Sequence, residues 1–88
     1  MPLDPADTSV RALFAGNLRR LRIENGFRSA RAFARRVGID DNRYTRYERA
    51  EVEPNLNVLL KICDTLQVSP NELLMPPMLG TQVRNSSP

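Results

Sequence analysis

The chain has no histidine, no tryptophan, one cysteine and only four glycines in 88 residues. Without histidine, and with Cys63 set in an apolar helical pattern, the usual zinc ligands and the usual parts of a nucleophilic centre are missing. The composition therefore points away from an enzyme and implies no metal and no other cofactor. A lone cysteine forms no intrachain disulfide and suits a reducing, cytoplasmic setting, with Cys63 itself read as core. No apolar run approaches the ~20 residues of a membrane span, and the start, MPLDPADT, lacks the basic and apolar regions of a signal peptide. Nothing alternates with period two over a useful length, so no sheet is expected and the fold class is all-α. Aromatic residues make up 6% of the chain, and with no sheet to display them the stacking surfaces of RNA readers are not available.

What is abundant is arginine, since Lys61 is the single lysine among 13 basic residues. Net charge is only +3, yet Arg11 to Arg49 holds eleven arginines against four acids. From Ala50 to Leu74 the balance reverses, with Lys61 against Glu51, Glu53, Asp64 and Glu72. A basic half beside an acidic half is the footprint of a molecule that turns one face to a polyanion. Arginine favours forked contacts over point charges, although a GC-rich genome enriches it for no structural reason.

A chain this short supports one hydrophobic core, hence one domain, expected over residues 9–75 between tails at 1–8 and 76–88. Five helices are predicted. The first opens with Thr8 or Ser9 as N-cap and runs to Asn25, stopped by Gly26, with Leu13 or Phe14, Leu18 and Leu21 on its buried stripe. The second follows Ser29, buries Phe33, Ala34 and Val37, and ends at Gly38, after which Ile39 enters the core. The third takes Asp40 as cap and ends near Arg49. The fourth runs from Leu56 to Leu66 and carries Leu59, Ile62, Cys63 and Leu66 at helical spacing. For the fifth, Val68-Ser69-Pro70-Asn71-Glu72-Leu73 spells a Ser N-cap, Pro at N1, a capping box closed by Glu72 and a Val68–Leu73 staple.

The stretch SARAFARRVGIDDNRYTRYER, Ser29 to Arg49, carries the functional signal. It reads as a short helix, a tight turn holding Gly38 and a second short helix, the unit that lays its second helix in the DNA major groove. On that helix Asn42, Thr45, Arg46 and Arg49 follow the i, i+3, i+4, i+7 rule, while Tyr44, Tyr47 and Glu48 fall on the other side. An amide and a guanidinium suit adenine and guanine edges, and a further arginine and a hydroxyl suit phosphate oxygens. The bland alternative is a solvated polar face. Tyr44 and Tyr47 read as core residues with hydroxyls near the surface. Asp40 reads as an N-cap; Asp41 either gains from the helix dipole or accepts from cytosine N4.

Taken together, NLRRLRIENG, AFARRVGI, RYTRYERA and LLKICDTLQVSPNELL resemble the helix-turn-helix domain of lambdoid phage repressors and Cro, the xenobiotic-response-element type of regulator. The resemblance covers about residues 10–74 and implies a compact five-helix bundle that binds double-stranded DNA as a sequence-specific regulator, a repressor; since one such helix reads only a few base pairs, two copies, a homodimer, are expected on the site. It maps base reading onto Asp41, Asn42 and Arg46, flanked by Arg43, Thr45 and Arg49. It also pairs Arg22 of helix one with Glu48 of helix three; independently, a carboxylate on the core side of a helix requires a partner, whereas an ordinary surface glutamate requires none.

Three departures from the family pattern stand out. Where a phosphate-clamping glutamine commonly begins helix two, this chain has Ala30, so Arg28 or Arg31, beside Ser29, is left to make that contact. The GFRS connection is one residue longer than the common form. The usual glycine after helix three is Ala50, so either a left-handed cap there is strained or the helix runs on. The dimer surface is expected at helix five, with Leu73, Leu74 and Met75, because terminal apolar residues need cover. A second reading makes the chain an antitoxin or protein-interaction module whose C-terminal tail, with Met75, Met78, Leu79 and Val83, docks on a protein partner.

Overall fold

A computed structural model describes residues 3–76 of the chain. In chain order it contains α1 (Leu3–Glu24), α2 (Ala30–Val37), α3 (Asp41–Glu48), α4 (Leu56–Leu66) and α5 (Pro70–Leu74), and no strand among the described residues. α1 begins ahead of the cap expected at Thr8 or Ser9, so residues 3–8, read from sequence as a tail, form its first turns. Pro5 is no obstacle there, because the first four N–H groups of a helix have no intrahelical acceptor and the missing donor removes nothing. The C-terminal tail, including Met78, Leu79 and Val83, lies outside the described residues beyond position 76.

Three helices start on a side-chain cap. Ser29 Oγ accepts from the Ala32 amide at 3.1 Å, Asp40 Oδ2 from Arg43 at 3.1 Å, and Asn55 Oδ1 from Val58 at 2.8 Å. Each satisfies one donor that the helix cannot, for about 1 kcal/mol. α5 departs from expectation: Pro70 stands in its first turn, but Ser69 makes no side-chain cap bond. The Glu72 amide that Ser69 Oγ would have received is taken by the Ser69 carbonyl at 3.0 Å, a tightened first turn that replaces the Ser half of the capping box.

The helix ends share one device. The chain turns left-handed at Gly26 (φ 91°), Gly38 (φ 93°), Ala50 (φ 60°) and Gln67 (φ 58°), closing α1 through α4 in turn. After each turn an amide folds back onto the last helical turn: Phe27 to the Arg22 carbonyl (3.1 Å), Ile39 to Ala34 (2.8 Å), Glu51 to Arg46 (3.0 Å) and Val68 to Cys63 (3.0 Å). This is the closure that satisfies orphan carbonyls at helix C-termini. α3 therefore does not run on: Ala50 takes the left-handed position that its side chain disfavours by roughly 1 to 2 kcal/mol.

The core is drawn from all five helices and the turn between α2 and α3. Phe14, Leu18 and Leu21 come from α1, Phe33 and Ala34 from α2, Ile39 from the turn, Tyr44 and Tyr47 from α3. Ile62, Cys63 and Leu66 of α4 and Leu73 of α5 close it. Leu73 is fully buried, so it belongs to the core and is not available to a dimer surface, unlike Leu74 and Met75, which are exposed. Aromatic residues are few but concentrated behind α3. Phe27, Phe33, Tyr44 and Tyr47 form an edge-to-face chain with ring centroids 5.1, 5.4 and 6.4 Å apart. Such pairs contribute about 0.5 to 1.5 kcal/mol each beyond area burial and fix relative ring orientation. Here they bind the α1–α2 connection, α2 and α3 into one support.

One buried polar residue lies in the apolar stripe of α1. Asn17, 2% exposed, sits three residues after Phe14 and four before Leu21, and its side-chain amide donates to the carbonyls of Leu73 and Met75, both at 2.9 Å. These are carbonyls at the C-terminal end of α5 that no further helical turn would satisfy.

Candidate nucleic-acid interface

α3 is eight residues long and two-sided. Its inner side carries Tyr44 and Tyr47, both buried, and Glu48, whose side chain is 12% exposed. Arg22 of α1, 6% exposed, meets Glu48 in a forked pair, Nε to Oε2 at 2.6 Å and Nη2 to Oε1 at 3.2 Å. Its remaining Nη1 donates to the Phe27 carbonyl at 2.7 Å, and the Tyr44 hydroxyl donates to Glu48 Oε2. The carboxylate thus receives three donors, which is what a charge out of water requires. Burial on its own would lower the Arg22 pKa, but the hydrogen bonds and charge of Glu48 outweigh it, and the net direction is up. Burial first, and then Glu48, pushes the Tyr44 phenol far above its usual range, so this hydroxyl stays a donor. That corrects the expectation of a hydroxyl near the surface: Tyr44 is fully buried, and its polar end is satisfied inside.

The outer side presents Asn42, Arg43, Arg46 and Arg49, all exposed. Thr45, placed beside them by its spacing, is half-buried instead, and its hydroxyl donates to the Asp41 carbonyl at 2.9 Å. A hydroxyl whose proton is committed has only lone pairs left, and these repel a phosphate oxygen. Ser29 differs: its oxygen accepts the cap bond, which leaves its O–H free to donate outward. At the start of α2, Arg28 and Arg31 are exposed, and Arg31 Nε lies 3.2 Å from Asp41 Oδ2, linking the two helices of the unit. Asp41 is therefore already neutralised by a cation, besides standing in the first turn of α3 where the helix dipole favours it.

A groove of about 350 Å³ opens on this face, lined by Asn42, Arg43 and Arg46 of α3 and by Val52, Glu53 and Asn55 of the connection to α4. Of the acids that line it, Asp40 is the cap of α3 and Glu53 is paired with Arg11 at 3.3 Å. A further acid, Glu51, lies 3.4 Å from Arg46 Nε and 3.7 Å from Arg49 Nη1. Sequence reasoning passes over Glu51, because only the left-handed turn at Ala50 brings it back over α3. It also passes over Asn17, although a lone amide inside an apolar helical stripe is a readable signal. Cys63 is a free, buried thiol whose pKa is raised by burial and then by the charge of Glu72, as suits a core residue and not a nucleophile. Among the described residues no His, Cys, Asp and Glu grouping could hold a metal ion, and no helix is long and apolar enough to cross a membrane.

Comparison with known proteins agrees with this geometry. No match was found among curated proteins. Among solved structures the chain is similar to a hypothetical transcription factor, NHTF, from Neisseria, at 28% identity over 88% of this chain and 87% of the other, with a TM-score of 0.77. Residues 13–74, from the middle of α1 to the end of α5, match the helix-turn-helix domain family, and the chain belongs to that family.

Proposed function

We propose that this protein is a sequence-specific DNA-binding transcriptional regulator that reads the major groove with α3. The observation that carries the reading is the division of α3. Its inner face is locked by Tyr44, Tyr47 and the Arg22–Glu48 pair, which leaves Asn42, Arg43, Arg46 and Arg49 exposed on a short rigid rod backed by α2. Asn42 and Arg46, with Asp41 in the first turn, are the base-reading candidates; Arg43, Arg49, Arg28, Ser29 and Arg31 are placed for phosphates. Thr45 contributes little to either. The kinship to a transcription factor of similar length supports the same reading.

One recognition helix reads only a few base pairs, which cannot discriminate against a genome of competing sites. The protein therefore works as a homodimer on two inverted half-sites about 10 bp apart. A bound dimer of this size represses by occupying its site. Selection of duplexes from a randomised pool should return paired half-sites, and inserting ~5 bp between them should abolish tight binding by turning the second groove to the far side. Tight binding of one protein to one isolated half-site would end the dimer reading.

A further inference from the structure

α3 differs from the other helices in what its closing turn delivers. After α1, α2 and α4 the left-handed turn returns Phe27, Ile39 and Val68 to the core. After α3 the same position holds Glu51, whose side chain is 45% exposed. Its amide is held by the Arg46 carbonyl at 3.0 Å, and its carboxylate engages Nε of that same arginine and Nη1 of Arg49. An apolar contact commonly joins these two positions of the closure. Here an ion pair stands in its place, and an exposed ion pair adds little to stability. The fold alone gives no reason for it.

We propose that Glu51 is the positioning residue that makes Arg46 a reader of guanine in preference to phosphate. This rests on the DNA-binding reading above. A guanidinium forks either through its two terminal nitrogens or through Nε and one of them. With Nε engaged by Glu51, the Nη1–Nη2 edge of Arg46 is the one left for O6 and N7 of a guanine. The backbone bond tethers Glu51, so Arg46 surrenders less freedom when it meets the base. The same carboxylate repels a phosphate approaching Arg46, whereas a base edge carries no net charge. Non-specific binding, which consists of phosphate contacts, is thereby held down while the specific contact is kept.

The test compares the parent, Glu51→Gln and Glu53→Gln, each alone and in an Arg46→Ala background, on the duplex selected from the random pool and on a mixed-sequence duplex. Glu53→Gln removes one charge from the same face without touching Arg46. Glu51→Gln is expected to bind the mixed duplex about threefold or more tighter. Its ratio of selected to mixed affinity is expected to fall about fivefold or more, through lost preference at one guanine. That fall should vanish in the Arg46→Ala background, and the melting temperature should stay within about 2 °C of the parent. Glu53→Gln should leave the ratio unchanged. The inference is overturned if Glu51→Gln keeps the ratio within about twofold, if its loss persists without Arg46, or if Glu53→Gln lowers the ratio equally. A parent that selects no sequence overturns the DNA reading and this inference together; a selective parent with an indifferent Glu51→Gln overturns this inference alone.

Discussion

Glu48 and Glu51 stand one turn apart on the same short stretch of chain, each bound to an arginine, and they do opposite work. Glu48 and its partner Arg22 are 12% and 6% exposed, and the pair is completed by Tyr44 and the Phe27 carbonyl. Glu51 and Arg46 are 45% and 59% exposed, a pair largely in solvent. Out of water, a pair cannot be broken without leaving a stranded charge, so the inner one fixes where α3 lies. In water the outer pair adds little to stability, so it can orient its arginine without fixing where α3 lies. α3 thus has one side that holds its place and one that holds its arginines outward.

The largest effect should come from breaking the inner side. Arg22→Ala or Glu48→Ala should destabilise by about 3 to 5 kcal/mol in thermal or denaturant unfolding. Replacing Arg22, Glu48 and Tyr44 together with Met, Leu and Phe should cost less than either single change. Equal and additive losses would show that the groups do not act as a unit.

Next in size is the outer side, read as binding and not as stability. Arg46→Ala should lose about 1 to 3 kcal/mol of affinity for the selected site, concentrated at one base pair. Its unfolding free energy should shift by under about 0.5 kcal/mol. If stability drops by as much as affinity, Arg46 belongs to the fold and the division between the two sides fails.

The smallest effect sharpens the comparison at the turn separating the two glutamates. Ala50→Gly should stabilise the protein by roughly 0.5 to 1 kcal/mol, since glycine relieves the left-handed strain but adds freedom to the unfolded chain. A methyl group added at Gly38 would meet no heavy atom within 4 Å, so Gly38→Ala should cost about 1 kcal/mol through backbone strain and not through a clash. Chemical denaturation of both variants separates these signs.

Much of this is legible from residue order. Ser29, Asp40 and Gly38 mark the ends of α2 and α3 because caps and left-handed turns are local chemistry, decided within four residues. The inward side of α3 follows from helical spacing alone. The start of α1 is misread because Thr8 and Ser9 resemble a cap, and nothing local says that a helix already under way passes through them. Ala50 leaves two outcomes open, and the choice between them decides whether Glu51 ever reaches Arg46. Leu73 looks like an uncovered terminus because its cover comes from the far end of the chain. Asn17, whose partners lie 56 and 58 positions away, is the kind of residue that spacing cannot assign.

Asn17 carries a consequence for how the molecule is made. α5 is five residues long, far below what stands alone in water, and it is tied to α1 by two bonds that span 56 and 58 positions. During synthesis Asn17 precedes Leu73 and Met75, and until they follow its amide bonds to water. Packing the apolar stripe of α1 before α5 docks would strip that water and leave the amide without a partner. Closing of that stripe is therefore coupled to the docking of α5, so the short helix and the long one are buried together.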